Sequence, residues 1–390
     1  MKDRKETEIF DALVKNGRVI DPAQKLDDKV DIAISKGKIA KISKDIPSQQ
    51  SKQVIDASGK IVTPGLIDVH CHVFDIISNF SIGPDGAGVK QGVTTVVDAG
   101  SAGEAIFPGF PKYVIPGSRT RIFCFIFMGS QGICTLPPMR DRIDLNADAT
   151  AAMIEANRDI IKGIKLGLSG PVVEKDGIEV VKIAKRTAKK FGLPIMVHIG
   201  DFDKKVSTTL TQECLRLMER GDILSHVFTG QFGGVLSQDS IIFPELKDAL
   251  ERGVVMDVAA GGQGLPNFSF EVARKVMAQG VLPTTISSDV IKPKTTGPGF
   301  GLTAIMSIFL TLGLKLEQII EMTTINSARA IRSEDLIGSL KPGMAADISI
   351  LELVSSPWKF ENSLGEKLEV SKLIVPRATI KSGQLITCLQ

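Results

Sequence analysis

Four histidines are all this 390-residue chain contains, and they are His70, His72, His198 and His226. His70 and His72 form an H-x-H pair in the stretch TPGLIDVHCH. Residues two apart on a strand face the same way, so both rings can reach one metal ion. His198 ends IMVHIG, His226 sits in ILSHVF, and Asp289 closes the apolar run TTISSD. Lys165 lies inside another apolar run, GIKLG. A lysine buried in such a strand is costly unless it is neutralised or modified. Reaction with CO₂ gives a carbamate, a bidentate anion able to bridge two divalent cations, and burial favours the neutral amine that attacks CO₂. Lys162 is the competing lysine, but it precedes the expected strand and has the wrong parity relative to Lys165. Asp68 is expected on the same face as His70, and Cys71 is expected to point away from both histidines and pack. Any one of these residues alone is more often a packed or capping group than a ligand. Their convergence on one end of one strand set carries the chemistry.

The elements that position them read as three zones. Residues 10–62 hold short alternating β-branched stretches punctuated by Asn16-Gly17, Lys36-Gly37 and Ser58-Gly59, which marks a small antiparallel β unit. From 63 to about 332, eight apolar runs start near residues 66, 94, 121, 163, 195, 223, 254 and 284. Near-continuous apolar runs are expected for parallel strands covered on both faces. Amphipathic segments lie between several of them, including one expected to stop at Gly221. This spacing predicts an α/β fold: a (β/α)₈ TIM barrel, with the histidines at the strand ends where barrel enzymes keep their chemistry. Short strands return from about Gly338 onward. The expected domains are therefore residues 1–62 with 336–390, a small β-sandwich built from both termini, and 63–335, the barrel. Pairing of the first and last segments is expected to close the sandwich.

Composition narrows the class. Hydrophobic residues make up 43% and charged residues 23%, as in ordinary globular proteins. The net charge of +3, from 47 basic and 44 acidic residues, gives no case for nucleic acid or an anionic membrane as partner. No signal peptide is evident in MKDRKETEIF, and no run approaches the roughly 20 apolar residues of a membrane helix. Five scattered cysteines without a CxxC pair fit a reducing, cytoplasmic setting. The GGQG run at 261–264 lacks the strand–glycine–helix spacing of a nucleotide site.

The chain resembles the amidohydrolase superfamily, in its amidohydrolase/deacetylase branch related to dihydroorotases. The motifs PGLIDVHCHVF, GVTTVVDAGSAG, NRDIIKGIKLGLS, LPIMVHIG, GDILSHVFTG, TISSD and SLKPGMAADISIL carry the resemblance over essentially the whole length. It implies a binuclear metal-dependent hydrolase. His70, His72 and Asp289 would hold the first ion and His198 and His226 the second, with carboxylated Lys165 bridging. Zinc fits imidazole and carboxylate ligands best among the candidates, which include manganese and iron. Asp289 would be the catalytic proton shuttle. The implied reaction is hydrolysis of a small-molecule amide, deacetylation of an N-acyl amino acid or similar compound. A cyclic amidase of dihydroorotase or hydantoinase type, an adenine deaminase and a catalytically dead barrel scaffold are the alternatives. A homo-oligomer is expected. Ser101, Ser169 and Gly299 are candidate substrate contacts. Relatives often carry a basic residue where this chain has Gly167, and Lys292 or Lys294 is the candidate replacement.

Overall fold

A computed structural model describes residues 9–261, 267–292 and 301–388. Seven parallel strands form one curled sheet: Leu66–Cys71, Val93–Gly103, Arg121–Phe127, Ile161–Gly167, Ile195–His198, Ile223–Ser225 and Val255–Asp257. The eighth segment, 285–290, closes the barrel by single bridges, Thr285 to Asp257 and Val290 to Cys71. Backbone bonds tie it on both sides, as from Asp289 N to the His70 carbonyl and from Val258 N to the Thr285 carbonyl, and side chains add to them. Ser288 N donates to the Asp68 carboxylate, Ala259 N to Ser287 Oγ and Met256 N to Thr284 Oγ1.

Six of these strands contribute Ile67, Val97, Phe125, Met196, Ile223 and Val255 to one buried cluster inside the barrel. Barrel interiors are packed cores rather than pores. Amphipathic helices cover the outside. The helix Glu179–Lys189, for example, buries Val180, Val181, Ala184 and Ala188 at the spacing of one helical face.

The remaining strands build two sheets from both ends of the chain. One holds Ala12–Lys15, Asp31–Ser35, Lys38–Ser43 and Val54–Asp56. The other holds Arg18–Asp21, Leu26–Lys29, Ile61–Pro64, Ile348–Glu361, Lys367–Lys381 and Gln384–Thr387. Val14, Ile32, Ile34, Val62, Ile348 and Ile380 pack together in their shared core. The two ends are joined by antiparallel pairing of Ile61–Pro64 with the start of Ile348–Glu361, rather than by the first and last strands. The hairpin 348–381 is far longer than its two short sequence signals suggested. Its outer half carries Phe360, Leu368 and Val370 into the barrel's own outer core.

Local differences from the sequence reading have local causes. The helix Leu210–Leu217 stops before Gly221, because Met218 turns to extended backbone; Gly221 takes its positive φ of 87° in the following turn. Lys162 lies within its strand rather than before it. It still faces away from Lys165, with its ammonium 4.3 Å from the Phe123 ring centroid. No helix among the described residues is long and apolar enough to cross a membrane.

Candidate metal centre and active site

The six residues singled out by sequence meet at the carboxyl end of the barrel. His70 lies at the end of the first strand and His72 just beyond it, Lys165 lies in the fourth, and His198 closes the fifth. His226 follows the sixth strand, and Asp289 belongs to the eighth segment. His226 and Asp289 adopt positive φ angles of 65° and 51°. That conformation is strained for non-glycine residues, and it breaks the strand alternation just where a side chain must turn inward.

Distances define one cluster. His70 Nε2 lies 3.3 Å from Lys165 Nζ and 3.4 Å from Asp289 Oδ1. His72 Nε2 lies 3.0 Å from the same carboxylate oxygen. The rings of His198 and His226 approach to 3.9 Å between centroids, and His226 lies 5.0 Å from His70. Ligand atoms of His70, His226 and Asp289 all fall within 4.8 Å of one another. Gly100 makes room for Lys165. A Cβ at Gly100 would lie 2.7 Å from Lys165 Cγ, and the residue's φ of +91° also favours glycine.

The rings of His226, His70 and His72 are each held by a hydrogen-bond partner at Nδ1. His226 Nδ1–H donates to the Ala259 carbonyl at 2.8 Å. That bond leaves its buried Nε2 as a lone pair with no hydrogen-bond partner. Such an orphaned acceptor facing other ligand groups fits a metal ion. His70 Nδ1 lies 2.7 Å from Ser225 Oγ, whose proton goes to Asp257 Oδ2 at 2.9 Å. The imidazole must therefore donate from Nδ1, and its Nε2 lone pair faces the cluster. His72 Nδ1 pairs with Ser101 Oγ at 2.9 Å, and the Ser101 N–H is fixed by the Asp98 carboxylate at 2.7 Å.

Burial favours the neutral forms of Lys165, His70, His198 and His226. It pushes the Lys165 ammonium down to about 8, against the opposing carboxylates of Asp289, Asp257 and Asp98. It pulls His198 to about 3 and holds His70 and His226 well below the usual imidazole value, with neighbouring cationic groups adding to the effect. Neutral imidazoles and a neutral amine are the forms that bind cations and react with CO₂.

Several expectations are corrected in detail. Asp68 does not reach the His70 ring. Its carboxylate binds Ser288 N and Oγ and lies 3.4 Å from the His70 backbone N, because strand pairing shifts register between Asp68 and Cys71. Burial pushes the Asp68 carboxyl up to about 7. Asp257, reached through Ser225, supports His70 instead. Ser101 is fully buried against His72 and does not line the cavity, whereas Ser169 does. Gly299 and Lys294 lie outside the described residues. Cys71 packs, its thiol donating to the Val97 carbonyl. Asp257, Asp98 and Asn267 escaped the sequence reading. For the first two a signal existed: a carboxylate inside each of the apolar runs VVMDVA and TVVDAG.

The cluster opens into a cavity of about 410 Å³. A cavity of this size takes a small molecule.

Comparison with known proteins agrees with this fold. The Amidohydrolase family matches residues 61–386. A deacetylase of Agrobacterium fabrum is 33% identical over 90% of this chain and 84% of its own length. A deacetylase of Enterococcus faecalis is 30% identical over 96% of this chain and 99% of its own. A crystal structure of an adenine deaminase superposes with a TM-score of 0.87 at 30% identity, covering 97% of this chain and all of that one. A dihydroorotase crystal structure superposes at 0.85 with 32% identity, covering 97% of each chain. The chain belongs to the amidohydrolase family and is a hydrolase acting on carbon–nitrogen bonds.

Proposed function

We propose that this protein removes the acyl group from a small N-acylated compound, an N-acyl amino acid or similar molecule, using two divalent cations. The convergence of His70, His72, Lys165, His198, His226 and Asp289 from five strand segments carries the reading. In this reading His70, His72 and Asp289 hold one ion and His198 and His226 the other. Lys165 would join the donor set as a carbamate, formed when its neutral amine makes an N–C bond to CO₂ and releases one proton. Zinc suits the imidazole-rich donor set. Bound cations supply Lewis acidity toward the scissile carbonyl and make water nucleophilic near neutral pH.

The chain's own groups do the rest. Asp289 Oδ1 faces the cluster, takes the proton from the attacking water and passes it to the departing nitrogen. The acyl C–N bond breaks, and the products are a carboxylic acid and an amine. Asn267 Nδ2, 3.3 Å from Asp289 Oδ2, fixes the plane of that carboxylate during the transfer. Deacetylation is favoured over other C–N hydrolyses by the curated deacetylases, which are 30–33% identical over at least nine-tenths of this chain.

The test is a screen of zinc-loaded enzyme against N-acetyl amino acids, dihydroorotate with hydantoins, and adenine. Acetate release is expected. Ring opening or ammonia release without acetate would replace this reading, with ammonia release favouring the deaminase suggested by the similar adenine deaminase structure.

A further inference from the structure

The active-site cavity is lined by ionisable groups and by a set of apolar side chains. The apolar wall comprises Phe80, Phe127, Ile133, Leu136, Met139 and Ile291. It is a built surface. Gly129, having no side chain, lets Met139 Cγ come to 2.7 Å and Phe127 Cδ1 to 3.2 Å from where its Cβ would stand. Met139 and Phe127 are each only 2% exposed. The loop carrying Ile133, Leu136 and Met139 is tied at several points. Cys134 Sγ donates to the Ser101 carbonyl at 3.0 Å. Ser130 N donates to the Asp144 carbonyl, and the Asp144 carboxylate accepts from Arg140 N and Asp141 N. Phe80 stands edge-on to His72, with 5.9 Å between centroids, and its carbonyl accepts from Lys292 N. That bond joins the Phe80 turn to the segment bearing Ile291.

Charge points the same way. Among the described residues, every ionisable side chain lining this cavity is one of the proposed ligands. Lys292, a candidate anchor for an anionic substrate group, lines a different cavity with Asp75 and Ser78. Against this wall a charged substrate side chain would lose hydration and, among the described residues, meet no ionisable partner outside the proposed ligands. An aliphatic or aromatic one would gain by leaving water. Leu136, 70% exposed, adds apolar surface to this wall.

From this wall we infer that the substrate carries an uncharged aliphatic or aromatic group beside its acylated nitrogen. The assignment deepens the proposed hydrolase reading and rests on it for the reaction, though its binding test stands apart from turnover. The probes are N-acetylphenylalaninamide and N-acetylleucinamide against N-acetyllysinamide and the side-chain acid N-acetylaspartate α-amide. Their affinities are measured calorimetrically on zinc-loaded Asp289→Asn. The two apolar probes are expected to bind at least about tenfold tighter than the two charged ones. Leu136→Asp, at an exposed position that does not threaten the fold, is expected to weaken the apolar probes and narrow that gap. Equal or tighter binding of the charged probes overturns the inference, and so does failure of every probe to bind. Acetate release is then followed with native enzyme. Apolar-selective binding without any release contradicts the hydrolase reading alone. Release from all four probes without apolar preference contradicts the wall assignment alone.

Discussion

Asn267 Nδ2 sits 3.3 Å from Oδ2 of Asp289, while the other carboxylate oxygen faces His72 Nε2 at 3.0 Å. The Asn267 carbonyl oxygen is held in turn by Gln231 Nε2 at 3.0 Å, so the carboxamide has one orientation. The turn of the long C-terminal hairpin secures the residues that follow. Glu366 accepts from Ser269 Oγ and Phe270 N, at 2.6 Å each, and Asn362 Nδ2 donates to the Phe268 carbonyl. A segment from the far end of the chain thereby steadies the residue that touches Asp289, the proposed proton shuttle.

Asn267→Ala is accordingly expected to lower kcat about 10- to 100-fold, the range for losing a hydrogen bond to a charged group worth roughly 1.5–3 kcal/mol. Zinc content is expected to stay unchanged, since Asn267 is not among the proposed ligands. Steady-state kinetics with elemental analysis checks both; an unaltered kcat contradicts the role.

Asp257 organises the far side of His70. It is fully buried and accepts from Thr285 Oγ1, Ser287 Oγ and Ser225 Oγ at 2.7–2.9 Å. Ser225→Ala removes the hydroxyl that holds His70 Nδ1. Zinc affinity is expected to fall about 10- to 100-fold, as for other residues that orient a metal-binding imidazole. Chelator competition measures it, and native affinity in Ser225→Ala would show that the ring needs no such support.

Lys165 sets a pH dependence. Its amine is half neutral at about pH 8, and only the neutral form attacks CO₂. In metal-free enzyme at fixed dissolved CO₂, the rate of carbamate formation is expected to rise about tenfold per pH unit below 8 and to level off above it. The carbamate signal in ¹³C NMR reports this. A rate that keeps climbing past pH 10 would mean a lysine with an ordinary, exposed amine.

Asp347 tests the seam between barrel and terminal sheets. It lies between Arg121 of the third barrel strand and Lys381 of the C-terminal hairpin, with Nη1 at 2.5 Å and Nζ at 2.8 Å. Burial raises its carboxyl, but the two cations outweigh burial and hold it below the ordinary 3.8. A carboxyl lowered in the folded state stabilises above the unfolded value, and that contribution is lost as pH falls below about 3.8. Asp347→Asn is expected to cost about 3–5 kcal/mol at neutral pH, because it leaves buried cations uncompensated. The variant should also show a shallower loss of stability below pH 4 in denaturant titrations; an unchanged acid profile would remove Asp347 from the account.

The barrel strands and the ligand cluster were legible in the sequence because both are written in local patterns. Parallel strands read as apolar runs, and His70, His72, His198, His226, Lys165 and Asp289 all fall within or at the ends of such runs. What the sequence hid depends on contacts between distant residues. Ser225 reaches His70 across 155 positions, and Glu366 reaches Ser269 across 97. No periodicity encodes either. Asp68 misled for a related reason: strict alternation placed it beside His70, and the register shift in that strand sends its carboxylate to Ser288 instead. The hairpin 348–381 was underestimated because its outer half alternates around the exposed charges of Lys359, Glu361, Lys367 and Glu369, a pattern that reads as loop until Phe360, Leu368 and Val370 find the barrel.

The pair of cations is tested most directly by elemental analysis of zinc-loaded protein, native and His226→Ala, after removal of loosely bound metal. About two zinc ions per native chain are expected, falling to about one in the variant, whose orphaned Nε2 is gone. One ion or none in the native chain, or two in both proteins, would contradict a binuclear centre built on these side chains.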